Sequence, residues 1–292
     1  MANRRVLVKR RKSIANIRKI TRTMQLIATA RFQTAFNRAV AARPYTEKLA
    51  ELVGDLSRGA GEIDHPLMRT ANPDAPVALL VLTSTRGLCG GYNAHVLRTT
   101  TACLEQWRAA ERPHELRVFG KKGIAFFRFH RTPLAAQDAS IGDMPRFDQV
   151  ESVANRLMAD FLAGRISGVS VAYTRFFSAG RQRPEIATLL PLAPDRPALE
   201  SSEPKAPIDY EFRPDPGSLL AELLPATVRV RLFQAFLDAA VSEQVARMAA
   251  MKAATDASED MIKSLTRKYN RARQTHITME LLDIVGGANA LA

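Results

Sequence analysis

The sequence predicts an α/β protein with two parts: a long antiparallel coiled coil of N- and C-terminal helices, and a Rossmann-like α/β domain between them. The positions of the helix-breaking residues carry this prediction. All sixteen prolines lie between Pro44 and Pro225. Residues 1–43 and 226–285 contain neither glycine nor proline, which favours uninterrupted helix near both ends of the chain.

Composition and charge limit the class of protein. Of 292 residues, 46% are hydrophobic and 24% charged, so the chain can fold around a sizeable core. Its uncharged apolar runs are too short to span a bilayer. Two cysteines and five scattered histidines form no zinc-binding or disulfide pattern. A net charge of +13 implies an anionic partner: nucleic acid, an acidic protein surface or anionic lipid headgroups.

Both terminal segments are far longer than the average helix of about eleven or twelve residues, so each needs a partner along its length. A line of residues, all small or apolar except Arg31, recurs in steps of three and four along the first: Ile14, Ile17, Thr21, Met24, Ala28, Arg31 and Ala35. A similar line follows the second: Val241, Val245, Met248, Lys252, Thr255, Glu259, Ile262, Leu265, Tyr269, Ala272, His276 and Met279. Because both stripes are weakly hydrophobic, the helices are expected to wind around each other as an imperfect coiled coil.

The middle of the chain alternates predicted strands and helices, which is typical of a small, mostly parallel sheet. Strands are predicted over residues 77–83, 116–119, 169–177 and 185–190. Helices are predicted over residues 93–110, 122–129 and 148–162.

A proline-rich linker over residues 191–216 connects this region to the last helix. The predicted domains are therefore an N-terminal helix over 1–58, an α/β domain with its linker over 59–216, and a C-terminal helix over 217–292.

The N-terminal charge has several possible uses. Through Thr46 the chain carries twelve Lys and Arg and no acidic residue. Nucleic-acid binding, a mitochondrial transit peptide, a solvated helix face and a face bound by an acidic protein all fit such a run. No aromatic residues interleave with it, and the helical pattern continues without a cleavage-like break. An acidic protein partner is favoured because the C-terminal helix has too few acidic residues to neutralise it.

A glycine-rich turn, residues 86–93 (RGLCGGYN), follows the first predicted strand and precedes a helix. Phosphates bind at this position in a Rossmann fold. The glycine spacing matches neither dinucleotide-binding nor P-loop patterns, so a tight turn against another chain or helix is the favoured interpretation. Cys89 has no activating histidine implied by the sequence. No catalytic residue, metal or cofactor is expected.

Seven segments follow one another along the chain: residues 13–24 (SIANIRKITRTM), 42–45 (ARPY), 86–93, 242–248 (SEQVARM), 251–256 (MKAATD), 269–280 (YNRARQTHITME) and 284–288 (IVGGA). In this order they resemble the gamma subunit of F-type ATP synthase, the central rotor shaft. Nearly the whole chain is covered, although residues 130–230 match only in pattern.

This resemblance implies a non-catalytic rotor subunit that couples ion-driven rotation of a c-ring to conformational change at the α/β catalytic sites. One copy would lie within three alpha and three beta subunits, with the foot bound to epsilon and the c-ring. It would be peripheral to the membrane, on the cytoplasmic face of a bacterial plasma membrane rather than in an organelle. The alternatives are a basic coiled-coil nucleic-acid-binding protein and a nucleotide-binding Rossmann protein.

The resemblance also implies positions for partner contacts. A polar group near the C-terminus resembles the residues that contact the beta catch region: Arg273, Gln274, Thr278 and Glu280. Three residues lower on the shaft resemble residues near the coupling interface: Arg22, Met24 and Arg247. Tyr210 falls where the foot meets the c-ring.

Three positions depart from the usual pattern of the family. Thr85 stands where Asp is usual, which removes a possible salt bridge to Arg86 or a neighbour. Arg213 stands in a segment that is commonly acidic. Met279 replaces a usual Gln, which leaves three polar residues in the catch group instead of four. The chloroplast regulatory insertion with its cysteine pair is absent, so thiol control of that kind is not expected.

Overall fold

The computed structural model describes residues 4–59, 65–69, 72, 74–192 and 216–291. These residues form two compact units: unit 1 comprises Met1–Ala30 and Arg247–Ala292, and unit 2 comprises Arg31–Ala246. The helices are α1 (Arg4–Gly59), α2 (Tyr92–Ala109), α3 (Lys121–Phe129), α4 (Phe147–Leu162) and α5 (Pro216–Leu291). The strands are β1 (Val77–Leu82), β2 (His114–Phe119), β3 (Ala136–Asp138), β4 (Gly168–Ser178) and β5 (Arg181–Leu190).

The sheet of unit 2 has the strand order β3-β2-β1-β4-β5. β1 pairs in parallel with β2 and β4, and β2 pairs in parallel with β3, whereas β4 and β5 form an antiparallel hairpin. The predicted α/β fold class is therefore confirmed. The sequence did not predict β3, because three residues, two of them exposed, leave no periodic pattern.

Both faces of the central strand are covered. All six residues of β1 are buried, as expected for a parallel strand between two helical layers. Leu80 and Leu82 pack in a cluster with α4 and α5, which contribute residues such as Leu157 and Leu224. Leu79 packs on the opposite face, in a second cluster supplied by α2 and α3.

The long helices extend beyond the segments that lack breakers. α1 continues through Pro44, and α5 begins at Pro216 and continues through Pro225. Proline at the first helical position costs little, because that N–H has no partner within the helix. An interior proline costs about 3 kcal/mol. Around Pro225 this cost is offset by packing, since Leu224 and Val228 are fully buried in the core.

In unit 1 the two helices run antiparallel. The hydroxyls of Thr21 and Thr255 are hydrogen-bonded at 2.8 Å, and Arg11 lies over the ring of Tyr269, with its Cζ 5.4 Å from the centroid. Burial on α1 recurs every seven residues, at Leu7, Thr21 and Ala28, with Ile14 half-buried. This is the repeat of a left-handed coiled coil.

Some residues of the predicted stripe are misplaced. On α1, Ile17 is 48% exposed and Arg18 is half-buried instead. On α5 the predicted Lys252 and Glu259 are exposed, and Met251 and Ser258, one position earlier, are buried. Spacing alone predicts the polar seam residues, and spacing cannot separate adjacent positions when the stripe is weakly hydrophobic. His276 and Met279 are also exposed.

Polar contacts tie the long helices to the α/β layers within unit 2. Asp143, in the loop before α4, forms an ion pair with Arg31 of α1 and accepts a hydrogen bond at 3.4 Å from Gln244 of α5. Arg229 of α5 donates to Asn155 of α4 at 2.8 Å. One loop residue therefore holds both long helices.

α5 also carries a buried carboxyl group within unit 2. Asp238 of α5 is 5% exposed, and burial raises its pKa despite a hydrogen bond from Gln234 and the charge of Arg43. The folded protein thus holds this proton more tightly than the unfolded chain. The free energy of unfolding consequently falls as the pH rises from the ordinary carboxyl pKa, which applies to the unfolded chain, through the raised pKa of Asp238 in the folded protein.

We expect Asp238→Asn to raise the melting temperature of the protein at pH 7, because an amide does not have to ionise in the core. The difference should disappear in acid, where Asp238 is protonated in both states. Thermal unfolding from pH 3 to pH 8 tests this.

Asp160→Asn provides a control of opposite sign. Burial would raise the pKa of Asp160, but hydrogen bonds from Arg165 and Arg117 outweigh burial and lower it. The ion pairs of Asp160 with Arg117 and Arg165 stabilise the fold at pH values above the ordinary carboxyl pKa. This stabilisation is lost as the pH falls through the lowered pKa of Asp160. Asp160→Asn should therefore destabilise at pH 7. A destabilising Asp238→Asn at that pH would contradict the first expectation.

No helix among the described residues is long and apolar enough to cross a bilayer.

Candidate functional site

The end of α5 is exposed in the structure. Every described side chain in residues 273–286, here called the end segment, is exposed. Six of them are large and apolar: Ile277, Met279, Leu281, Leu282, Ile284 and Val285, with exposed fractions from 45% to 67%. The Thr21–Thr255 and Arg11–Tyr269 contacts set a register in which this segment passes beyond Arg4, the first described residue of α1. A contiguous apolar surface of this kind marks a site of protein contact.

The four polar residues predicted near the C-terminus all lie on the end segment and are all exposed. The Thr278 hydroxyl donates a hydrogen bond to the carbonyl of Gln274 at 3.0 Å. Glu280 lies 3.1 Å from the Nδ1 atom of His276, one helical turn away. The helix thus places Gln274 one turn before Thr278 and Arg273 about two turns before Glu280, with an apolar surface beside them.

The three residues predicted lower on the helices differ in accessibility. Arg22 is exposed, and its guanidinium donates to Gln25 at 3.1 Å. Met24 is half-buried. Arg247 is only 6% exposed, so this side chain is buried instead of lying on the surface.

Unit 1 carries most of the net charge of the protein. Its described residues include sixteen Lys and Arg but only five Asp and Glu, against +13 for the whole chain. The basic run of α1 is exposed at Arg4, Arg5, Lys9, Arg10 and Lys12. A paired helix with this charge favours acidic partners along its length.

The glycine-rich turn is closed by its own hydrogen bonds. The Ser84 N–H donates to Asn93 Oδ1 at 3.0 Å, and Asn93 Nδ2 contacts Cys89 Sγ at 3.2 Å. At the start of α3, the Gly123 N–H donates to Thr83 Oγ1 at 2.9 Å. Side chains of the turn thus pack against the end of β1, as expected for the tight-turn interpretation.

Comparison with known proteins covers the chain from end to end. The ATP synthase family model matches residues 3–291. The ATP synthase gamma chain of Rhodopirellula baltica is 44% identical over 294 residues, covering 100% of this chain and 99% of that protein. The chain belongs to the ATP synthase gamma-chain family.

Solved structures share the fold. A chain of the Euglena gracilis mitochondrial ATP synthase described as OSCP/F1/c-ring matches with a TM-score of 0.66 at 15% identity, covering 99% of this chain and 94% of that one. A chain from the rotor of the same synthase matches with a TM-score of 0.63 at 16% identity, covering 94% and 98%. The predicted family is thus confirmed, and the nucleic-acid-binding and nucleotide-binding alternatives receive no support.

Some features of the gamma-chain pattern fall outside the described residues. Tyr210 and Arg213 are two of these, so their predicted roles stay predictions. Of the other departures, Met279 is 49% exposed and adds to the apolar surface of the end segment. Thr85 has a buried Oγ1 with no hydrogen-bond partner among the described residues.

The sequence did not single out two polar arrangements of this gamma-family chain. Asp143, which contacts both long helices, lies in a loop without periodicity. Arg175, Arg181 and Arg183, on the two strands that the β4–β5 turn joins, belong to no motif. Only the strand register and the ring contacts bring them together, and neither can be read from spacing.

Proposed function

We propose that this chain is the central-stalk rotor subunit of an F-type ATP synthase, which couples ion-driven rotation of a membrane c-ring to conformational change at α/β catalytic sites. The observation that carries the proposal is the antiparallel helix pair of unit 1. Its inner seam is packed every seven residues, its outer surface is strongly basic, and α5 continues as an exposed apolar segment. Such a rod suits enclosure by other subunits.

The proposed mechanism is differential affinity. A rotor inside a ring of three alpha and three beta subunits presents a different surface to each catalytic site. A site changes conformation because one orientation of the rotor binds one conformation more tightly. Catalysis would take place in the ring, and the rotor would only determine which conformation each catalytic site favours.

Two groups of residues would contact the ring. Arg273, Gln274, Thr278 and Glu280 would meet the beta catch region, where the apolar surface of the end segment permits sliding without a fixed register. Arg22 and Met24 would lie at the coupling interface below. Arg247, being buried, would act there by holding α5 in place.

The remaining partners are proposed from the family. Epsilon and the c-ring would bind the α/β unit, with Tyr210 at the c-ring contact. The subunit would be peripheral to the membrane, on the cytoplasmic face of a bacterial plasma membrane; the gamma chain of the bacterium Rhodopirellula baltica supports this choice over an organelle.

Co-expression with alpha and beta subunits tests the proposal. We expect native mass measurement to give one copy of this chain per six-subunit ring, and multi-turnover ATPase activity to depend on it. A chain truncated after Arg271, which lacks the end segment, is the comparison and should form a less stable complex. A ring that assembles and hydrolyses ATP equally well without the chain would contradict the rotor function.

A further inference from the structure

The turn between β4 and β5 carries a basic and aromatic surface that the proposed contacts leave unused. We call it the hairpin patch and define it as Arg175, Phe177, Arg181 and Arg183, all exposed. The Cζ atoms of Arg175 and Arg181 each lie 5.2 Å from the centroid of the Phe177 ring. Two guanidinium groups therefore stack on one exposed aromatic side chain.

The register of the hairpin places like charges together. Arg175 and Arg183 are direct cross-strand partners, an arrangement that destabilises a sheet. Glu185 lies 3.6 Å from Arg175 Nη1, but the same carboxylate oxygen accepts a hydrogen bond from the Tyr173 hydroxyl at 2.8 Å. Asp238 also faces Arg175, but it is buried and its pKa is raised by that burial. The patch therefore keeps a surplus of positive charge.

The patch has a defined place within unit 2. Phe176, its neighbour in β4, packs against Ala39 of α1 and Val241 of α5, close to the points where the chain leaves the unit.

We propose that the hairpin patch binds an acidic polypeptide segment of an alpha or beta subunit. This inference rests on the proposed function, which places those subunits around the helices that leave unit 2. Carboxylates suit the patch because guanidinium groups bind them in a planar, bidentate manner, and stacking on Phe177 holds two of these groups in fixed orientation. Retention on anionic lipid is a separate outcome, which the vesicle measurement below distinguishes.

Zero-length cross-linking of the assembled complex tests the proposal. A carbodiimide joins lysine amines to carboxylates but does not react with arginine. Arg181→Lys keeps the charge of the patch and makes it reactive. We expect a new amide bond between Lys at this position and an Asp or Glu of alpha or beta, located by peptide mass spectrometry.

Arg112→Lys is the matched control. Arg112 is also exposed and also lies over an aromatic ring, with its Cζ 5.2 Å from the centroid of Trp107, but it precedes β2, which lies on the other side of β1 from the β4–β5 hairpin. We expect no cross-link to alpha or beta from this variant. The unmodified chain shows which cross-links arise from native lysines.

Charge reversal provides a second measurement. Arg175→Glu with Arg181→Glu should slow association of the chain with the ring roughly tenfold at low salt, and added salt should reduce the difference. The Arg112→Glu variant should associate at the rate of the unmodified chain. Equal melting temperatures of the variants would exclude unfolding as the cause.

The outcomes separate this inference from the proposed function. A complex that forms and hydrolyses ATP, but gives no cross-link from position 181, overturns the inference alone. A cross-link to epsilon or to the c-ring, or selective retention of the chain on phosphatidylserine vesicles through the patch, also overturns it. Failure of the unmodified chain to join the ring overturns the proposed function and this inference with it.

Discussion

A disulfide between a cysteine placed at Met24 and a facing cysteine of the ring is expected to stop ATP hydrolysis almost completely, and a thiol reductant to restore it. Met24 lies between Thr21, which is hydrogen-bonded to Thr255, and Ala28, which is 1% exposed. Because two packed helices meet there, the tethered side chain cannot turn independently of the rest of unit 1. Multi-turnover ATPase activity, measured against the cross-linked fraction before and after reduction, tests this.

The same tether at Thr278 is the comparison. Thr278 lies on the end segment, whose described side chains are all exposed, so torque there can be relieved by local unwinding of a single helix. We expect reversible inhibition at Thr278 as well, but only the Met24 tether decides the question. Undiminished turnover with a fully formed Met24 cross-link would contradict rotation of this chain within the ring.

The sequence predicted the parts of the fold that depend on long-range pattern. Absence of glycine and proline is a strong signal over dozens of residues, and the six apolar residues of β1 are buried on both faces. The continuation of α1 through Pro44 could not be predicted in this way. Tertiary packing overrides the local preference of proline, and packing is not visible in composition.

Some residues of the candidate site could likewise be predicted from the sequence, whereas others depend on packing or strand register. Arg273 and Thr278 lie on one exposed helical segment, which spacing along a helix can predict. The burial of Arg247 depends on which neighbour it packs against, and a seam of mixed polarity does not determine that. The hairpin patch depends on the pairing of Arg175 with Arg183, which is fixed by strand register.

Gly120→Ala is expected to cause the largest loss of stability among single-methyl substitutions in unit 2. Gly120 has φ 93°, and a Cβ there would lie 2.0 Å from the carbonyl oxygen of Thr83. The backbone cannot give way easily, because the Thr83 N–H and hydroxyl both donate to the carbonyl of Phe119, at 2.9 and 2.7 Å. We expect a loss of more than about 4 kcal/mol in the free energy of unfolding. That corresponds to a fall of roughly 10 °C in melting temperature for a unit of this size.

Substitutions at two other glycines distinguish the effect of a steric clash from the effect of the backbone conformation. Gly164 has φ 69° with no atom within 4 Å of an added Cβ, so Gly164→Ala should cost only about 1 kcal/mol, the strain of the left-handed conformation. Gly142 has open space and no positive φ, so Gly142→Ala should change stability by less than about 0.5 kcal/mol. If the Gly120→Ala and Gly164→Ala variants had the same melting temperature, the result would contradict the close approach of Gly120 to Thr83. The closed turn after β1 would then lose its main support, because Thr83 also caps the start of α3 through Gly123.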